Sequence, residues 1–344
     1  MMPKLKFSAS IGATIALLVL TALAAWRYDG FISPYNVHSA LRYYSMFTIV
    51  ALGMCFVIMT GGIDLSVGAV AALASVVSAL VSDYGLVPGL LAGLATGVTA
   101  GMINGLLITR LKILPFIATL AMMLAAKGTA LLLAKNQTVS ASYDTAFTAI
   151  GQGDLFAGFV PEWATGDDAG VLGRALDYVL GMPTPFWIIV IVYAIAWIVN
   201  LSTPFGRHVL AVGGGAEASR LMGLPVNSTI FSVYAISGFC SGLAGVILAA
   251  QFGAGQPIEG IGWELISIAS VVVGGTLLSG GQGSIGGTLA GALLLGILYT
   301  ILNFENGMGW ISLSAYWQSV VRGTFLLVVV ILQSKISNRE KVAA

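Results

Sequence analysis

The sequence predicts an all-α, polytopic integral membrane protein of about ten transmembrane helices, with eight to ten as the defensible range, and with glycine-rich broken helices. Three observations carry that expectation. Of 344 residues, 58% are hydrophobic and only 8% charged, whereas a soluble domain carries roughly 25% charged residues. Apolar stretches approaching the about 20 residues of a spanning helix recur along the whole chain. The 44 glycines are dense at residues 61–68 and 274–287, two breaks between apolar stretches. Net charge is +1, which gives no electrostatic case for a nucleic-acid partner.

The expected spans, in order, are 10–26, 45–60, 65–81, 86–108, 113–133, 186–201, 229–252, 265–279, 284–302 and 319–332. Several are short enough to be half-helices or tilted pieces. The first follows Lys4 and Lys6, and no convincing small-x-small cleavage site precedes Arg27, Tyr28 and Asp29. It reads as a retained first helix in preference to a signal peptide. Ten spans with a cytoplasmic amino terminus place Arg110, Lys112, Arg207, Arg220, Lys335, Arg339 and Lys341 inside, as the positive-inside rule favours. Arg27, Arg42, Lys135 and Arg174 then fall outside, a minority. Both termini are cytoplasmic in this topology. The chain reads as one membrane domain, 1–344, with an outer segment at 135–185 that carries Asp144, Asp154, Glu162, Asp167, Asp168 and Asp177. Its main inner loop is 202–228.

The most informative stretch is Gly61-Gly62-Ile63-Asp64-Leu65-Ser66-Val67-Gly68. It puts a carboxylate between two uncharged apolar segments, where an ionisable group is expensive and therefore functional or paired. The plainer reading, compatible with the first, is that Asp64 caps the helix that follows. Glycines 89, 93, 97, 101 and 105 recur every four residues and so line one face of a helix. Without side chains there, another backbone can approach closely. A second break, 274–287, loosely echoes the first with a Gly pair, a polar residue and then Ser-aliphatic-Gly. Exposed backbone inside a membrane must line a cavity or be buried in protein, so this break is a candidate wall of a translocation pathway.

Within the inner loop, Gly213, Gly214 and Gly215 end one segment, and 216–222 then has room for about two helical turns before Gly223 and Pro225 stop it. Glu217 and Arg220 sit three apart, on one face, and Leu221 with Met222 presents an apolar end. Such a helix suits docking into a partner's groove, or is an ordinary surface helix between two spans. Cys55 and Cys240 both lie in apolar segments and read as packing thiols, with no disulfide and no metal site. His38 and His208 show no metal-ligand spacing. Lys127 and Arg322 are awkward charges that snorkel or line a pore, and Glu264 is a candidate partner for either. The chain has no Gly-x-x-x-x-Gly-Lys-Ser/Thr loop, no Gly-x-Ser-x-Gly elbow and no His-Glu-x-x-His. It is therefore not read as an enzyme, no cofactor is expected, and any ATP must be hydrolysed by another polypeptide.

Four motifs in order resemble the permease subunits of bacterial sugar-importing ABC transporters, of the ribose, xylose and galactofuranose type. They are the octet 61–68; Lys112-Ile113-Leu114-Pro115-Phe116-Ile117-Ala118-Thr119-Leu120; the inner loop with Gly206-Arg207, Ala211-Val212-Gly213-Gly214, Glu217-Ala218-Ser219 and Gly223; and 264–287 with Ile268-Ala269-Ser270-Val271-Val272-Val273-Gly274-Gly275. Where members of that family commonly have Asn after the Gly pair, this chain has Gly215. The outer segment 151–182 matches least. The resemblance implies a multi-pass protein of the bacterial inner membrane that moves a monosaccharide or related polyol. It implies a cytoplasmic ABC ATPase subunit, a periplasmic sugar-binding protein, and a second permease subunit, identical or related. Arg207 and the stretch Glu217, Ala218, Ser219, Arg220, Leu221, Met222 and Gly223 would form the ATPase-coupling loop. Gly61, Gly62, Asp64, Ser66 and Gly68 form the signature break. Asn104, Gln251, Gln256, Trp263 and Ser279 are candidate pathway-wall residues.

Two other classes compete. An ion- or proton-coupled secondary transporter also uses broken helices near the midplane, and Asp64 and Lys127 are its candidate coupling residues. A membrane scaffold would account for the glycine-faced helix but leaves the docking-type loop without a role.

Overall fold

The structure, a computed structural model, describes residues 9–164 and 170–308, and beyond them 314, 316–321, 323–325, 327–328 and 331. Among these residues eight helices are long and apolar enough to cross a membrane. In chain order the elements are α1 (Ala9–Arg27), α2 (Pro34–Met59), α3 (Val67–Val81), α4 (Leu86–Thr109), α5 (Pro115–Leu133), β1 (Val139–Ser140), α6 (Ala149–Gln152) and α7 (Val171–Leu180). They continue with α8 (Thr184–Ser202), α9 (Pro204–Gly214), α10 (Ala216–Leu221), α11 (Val226–Phe252), β2 (Ala254–Gly255), α12 (Trp263–Val273) and α13 (Ile285–Met308). Short 3-10 turns join several of them. Of the expected tenth span, 319–332, only part is described, and those residues are helical. Lys4, Lys6, Asp167, Asp168, Arg322, Lys335, Arg339 and Lys341 lie outside the described residues.

Two helices form the centre. Every residue of α2 from Tyr44 to Met59 is buried, as befits a helix that is apolar on all sides. It starts eleven residues earlier than the sequence suggested, because Ser33 accepts the Asn36 N–H and Pro34 opens the first turn. The other central helix, α11, packs on α2, α3 and α4. Its contact with α4 explains the four-residue glycine repeat. A Cβ at Gly97 would lie 2.6 Å from the Gly242 Cα, and one at Gly238 would lie 2.8 Å from the Gly101 Cα. The partner of the predicted glycine face is thus a second glycine face, Gly238 and Gly242, on α11.

The expected span 265–279 is half a helix. The 11 residues of α12 rise about 16 Å at 1.5 Å per residue, roughly half of the about 30 Å hydrocarbon core. Helix α13 begins after the second break, where Ser284 Oγ accepts the Gly287 N–H at 3.0 Å. Helix α1 is peripheral. It rests on α13, and just past its end the rings of Tyr28 and Phe31 meet Phe304 at 5.5 and 5.4 Å, and Tyr28 donates to Glu305.

The outer segment is fastened to the ends of the helices. Ser142 N–H donates to Ser82 Oγ at 2.8 Å, Arg42 pairs with Asp154 at 2.7 Å and Thr184 Oγ1 donates to the Gly153 carbonyl at 2.8 Å. β1 pairs antiparallel with β2. This segment and the loop containing α9 and α10 lie at opposite ends of α8. Lys127 is exposed on α5 and forms no ion pair with Glu264; the proposed Glu264–Arg322 pair falls on an undescribed residue.

Candidate functional site

The two breaks and the inner loop converge. At the first break, Asp64 is 1% exposed and its carboxylate is fully engaged. Oδ1 accepts the Ser66 N–H at 3.0 Å and the Ser66 hydroxyl at 2.6 Å, and Oδ2 accepts the Ser237 hydroxyl at 2.8 Å. Asn104 Nδ2 donates to Ser66 Oγ at 3.0 Å. The Ile63 carbonyl accepts Tyr234 OH at 3.3 Å. Asp64 therefore ties the chain entering α3 to α4 and α11. Its Ser66 N–H bond is the local bond of a capping aspartate, made two residues ahead of the helix, whose own cap residue is Ser66. Charge-assisted hydrogen bonds of this kind are roughly twice as strong as neutral ones, which offsets the burial of the carboxylate. Asn104 Oδ1 is buried and lacks a partner.

Glycine backbone makes the rest of the junction. Gly61 has φ +79° and Gly280 has φ +80°, conformations that a side chain disfavours. A Cβ at Gly280 would lie 2.7 Å from the Gly61 nitrogen. The Gly281 N–H donates to the Met59 carbonyl at 3.0 Å, so the second break is hydrogen-bonded to the end of α2. Thr276, in that break, lies 3.8 Å from Cys55 Sγ. The last turn of α9 wedges into the same place: a Cβ at Gly213 would overlap the Met59 carbonyl and sit 2.5 Å from the Gly281 nitrogen. One glycine of the inner loop thus touches both the end of α2 and the second break.

From Gly213 the chain passes directly to α10. Arg220 Nη1 donates to Glu217 Oε2 at 2.6 Å, the pair expected from their spacing. Both are exposed, so the bridge adds at most about 1 kcal/mol. Leu221 and Met222 are 86% and 69% exposed, while Ser219 is buried and Ala218 and Arg207 face outward. Gly223, at φ +79°, turns the chain away. Gly215 is extended, with φ 171°, a backbone open to any residue, so the departure from Asn leaves this turn intact. A cleft of about 300 Å³ lined by Leu106, Thr109, Arg110, Asn227, Ser228 and Phe231 opens at this end.

The candidate wall residues are not brought together. Asn104 belongs to the Asp64 network and Ser279 is exposed, its carbonyl beside Gly61. Gln251 accepts Gln152 Nε2 at its carbonyl, 3.0 Å, at the other end of the bundle. Gln256 and Trp263 flank a feature that the apolar pattern hid. After α11 the chain turns at Gly253 (φ +62°) and runs back along α3 as irregular backbone to Gly262 (φ +84°). The Gln256 N–H donates to Ser75 Oγ at 3.1 Å. A Cβ at Gly255 would lie 2.7 Å from the Val76 Cα, and the Gly260 backbone packs on that of Gly68. Trp263, which opens α12, packs tilted against Phe47, ring centroids 4.7 Å apart. The readable signal was the cluster Gly253, Gly255, Pro257, Gly260 and Gly262, which a single uninterrupted span starting at 265 passes over.

Comparison with known proteins agrees with this architecture. Residues 36–330 match the family described as branched-chain amino acid transport system / permease component. The ribose import permease protein of Haemophilus influenzae is 36% identical over 95% of this chain and 93% of its own length. That of Bacillus subtilis is 39% identical over 94% and 92%, and the L-arabinose transport system permease protein of Escherichia coli is 37% identical over 93% and 89%. No solved structure matches the chain. With most of its length matched and its broken helices joined to an exposed loop helix, the chain belongs to this family of transport-system permease components.

Proposed function

We propose that this chain is the permease subunit of an ATP-binding-cassette importer that carries a monosaccharide or related polyol across the bacterial inner membrane. The observation that carries the reading is Gly213, which contacts the end of α2 and the second break and lies three residues before α10. A partner that moves α10 moves Gly213, and with it the ends of α2 and of the second break. The partner is a cytoplasmic ABC ATPase subunit, docked on Leu221 and Met222 beside the 300 Å³ cleft. Fuel is supplied there, and the permease contributes rigid-body motion. A periplasmic sugar-binding protein delivers solute at the opposite end, on the side of α7, and a second permease copy or close relative completes the path. Both termini are cytoplasmic in this arrangement. Relatives named for ribose and L-arabinose make these two pentoses the first solutes to try.

An ion-coupled carrier needs an ionisable group that water can reach near the midplane. Asp64, the carboxylate expected in that role, is enclosed by three donors and is taken up by the break. The deciding experiment is a mild-detergent pull-down of the tagged chain from its host. Recovery of a nucleotide-binding ATPase, lost when residues 217–223 are scrambled, supports the reading. Recovery of the chain alone, active in ATP-free vesicles, overturns it.

A further inference from the structure

The irregular stretch between α11 and α12 reaches mid-depth at its far end, by two independent contacts. Trp263, at its end, packs on Phe47 in the middle of the 26-residue α2. Gly260 packs on Gly68, four residues after Asp64, which is bonded to Ser237 near the middle of the 27-residue α11. Non-helical backbone at such depth exists only where it is buried in protein or lines a water-filled cavity. Its inner edge, at Gly255 and Gly260, is buried against α3. Its outer edge is not: Ile258 and Ile261 are 63% and 71% exposed, and Glu259 between them is exposed as well. A carboxylate facing lipid at this depth is strongly disfavoured.

The geometry points to this outer edge as the solute-contacting wall of the translocation path, with Glu259 as the group that touches the solute. This deepens the importer reading and rests on it. Carboxylate oxygens accept two vicinal hydroxyls, and Ile258 and Ile261 offer apolar surface to the C–H face of a sugar ring. The ligand class is a neutral polyhydroxylated solute, since a fixed carboxylate repels phosphorylated sugars. Contact is weak by design of the site: one charged group on an open edge releases what it receives.

The test uses the full transporter, permease with ATPase and binding protein, in vesicles of phosphatidylethanolamine and phosphatidylglycerol. Cys55 and Cys240 are buried and stay in place. Glu259→Cys is treated with a charged, water-soluble methanethiosulfonate, with Ile191→Cys, on the exposed face of α8, as the lipid-side control. The expected result is modification of residue 259 several-fold faster than residue 191, slowed by ribose or arabinose during turnover, with loss of uptake. Glu259→Gln should lower uptake several-fold, and Glu259→Asp should recover part of it. Reaction no faster than the control, a disulfide between two copies at position 259, or full uptake by Glu259→Gln each overturns the proposal. If the unmodified transporter takes up neither pentose with ATP while residue 259 still reacts, the importer reading fails and the water-lined position of Glu259 stands.

Discussion

Asp64 shows how one side chain holds a break in place. Removing it leaves the Ser66 N–H and the Ser66 and Ser237 hydroxyls without an acceptor, and each unsatisfied buried group costs about 1–3 kcal/mol. Asp64→Ala should therefore lower the melting temperature of the purified permease more than Ser237→Ala does. A double-mutant cycle between the two should show a coupling of about 1–2 kcal/mol, in line with residues sharing one network. Additive losses would mean that the Ser237–Asp64 bond at 2.8 Å contributes nothing of its own. The carboxylate was visible in the sequence because it stood alone in apolar surroundings. Its acceptors' partners were not, since Ser237 is 173 positions away and resembles any other serine of a membrane helix.

At the scale of elements, the α4–α11 contact depends on missing side chains. Gly97→Leu inserts a side chain where even a Cβ lies 2.6 Å from the Gly242 Cα. Overpacking of this sort costs typically about 1–3 kcal/mol, and in lipid it separates helices that only van der Waals packing holds together. A fall in thermal stability and in folded yield is expected for Gly97→Leu. Gly128→Ala, on α5 with nothing within 4 Å, should be neutral or gain up to about 1 kcal/mol from helix propensity. Size-exclusion profiles and melting curves of the two variants separate these outcomes. The four-residue repeat made one face of this contact legible. Gly238 and Gly242 on α11 form only a short repeat, which does not stand out among 44 glycines.

Across the whole molecule, the Gly213 contact links α10 to the end of α2 and to the second break. Gly213→Ala is expected to leave ATP hydrolysis by the assembled transporter largely in place while uptake falls at least several-fold, because a Cβ there overlaps the Met59 carbonyl. Gly214→Ala has open space around it and should transport normally; parallel uptake and ATPase assays distinguish the two. Replacing Leu221 and Met222 with Asp acts at a different step. It removes the exposed apolar end of the loop helix, and the ATPase subunit should no longer co-purify.

The membrane class, the position of nearly every span, the break at 61–68 and the short helix α10 with its Glu217–Arg220 pair were all set by the sequence itself. Each rests on a local property: apolar length, lone charges, glycine spacing or a stop at Gly223. Tertiary structure alone decided that α12 is half a helix, that 253–262 turns back along α3, and that Gly61, Gly213 and Gly280 meet. An apolar run reads the same whether lipid or protein surrounds it. Only the packing of Trp263 on Phe47 and of Gly260 on Gly68 replaces a continuous span with irregular backbone, by covering the groups that a helix would otherwise have had to satisfy.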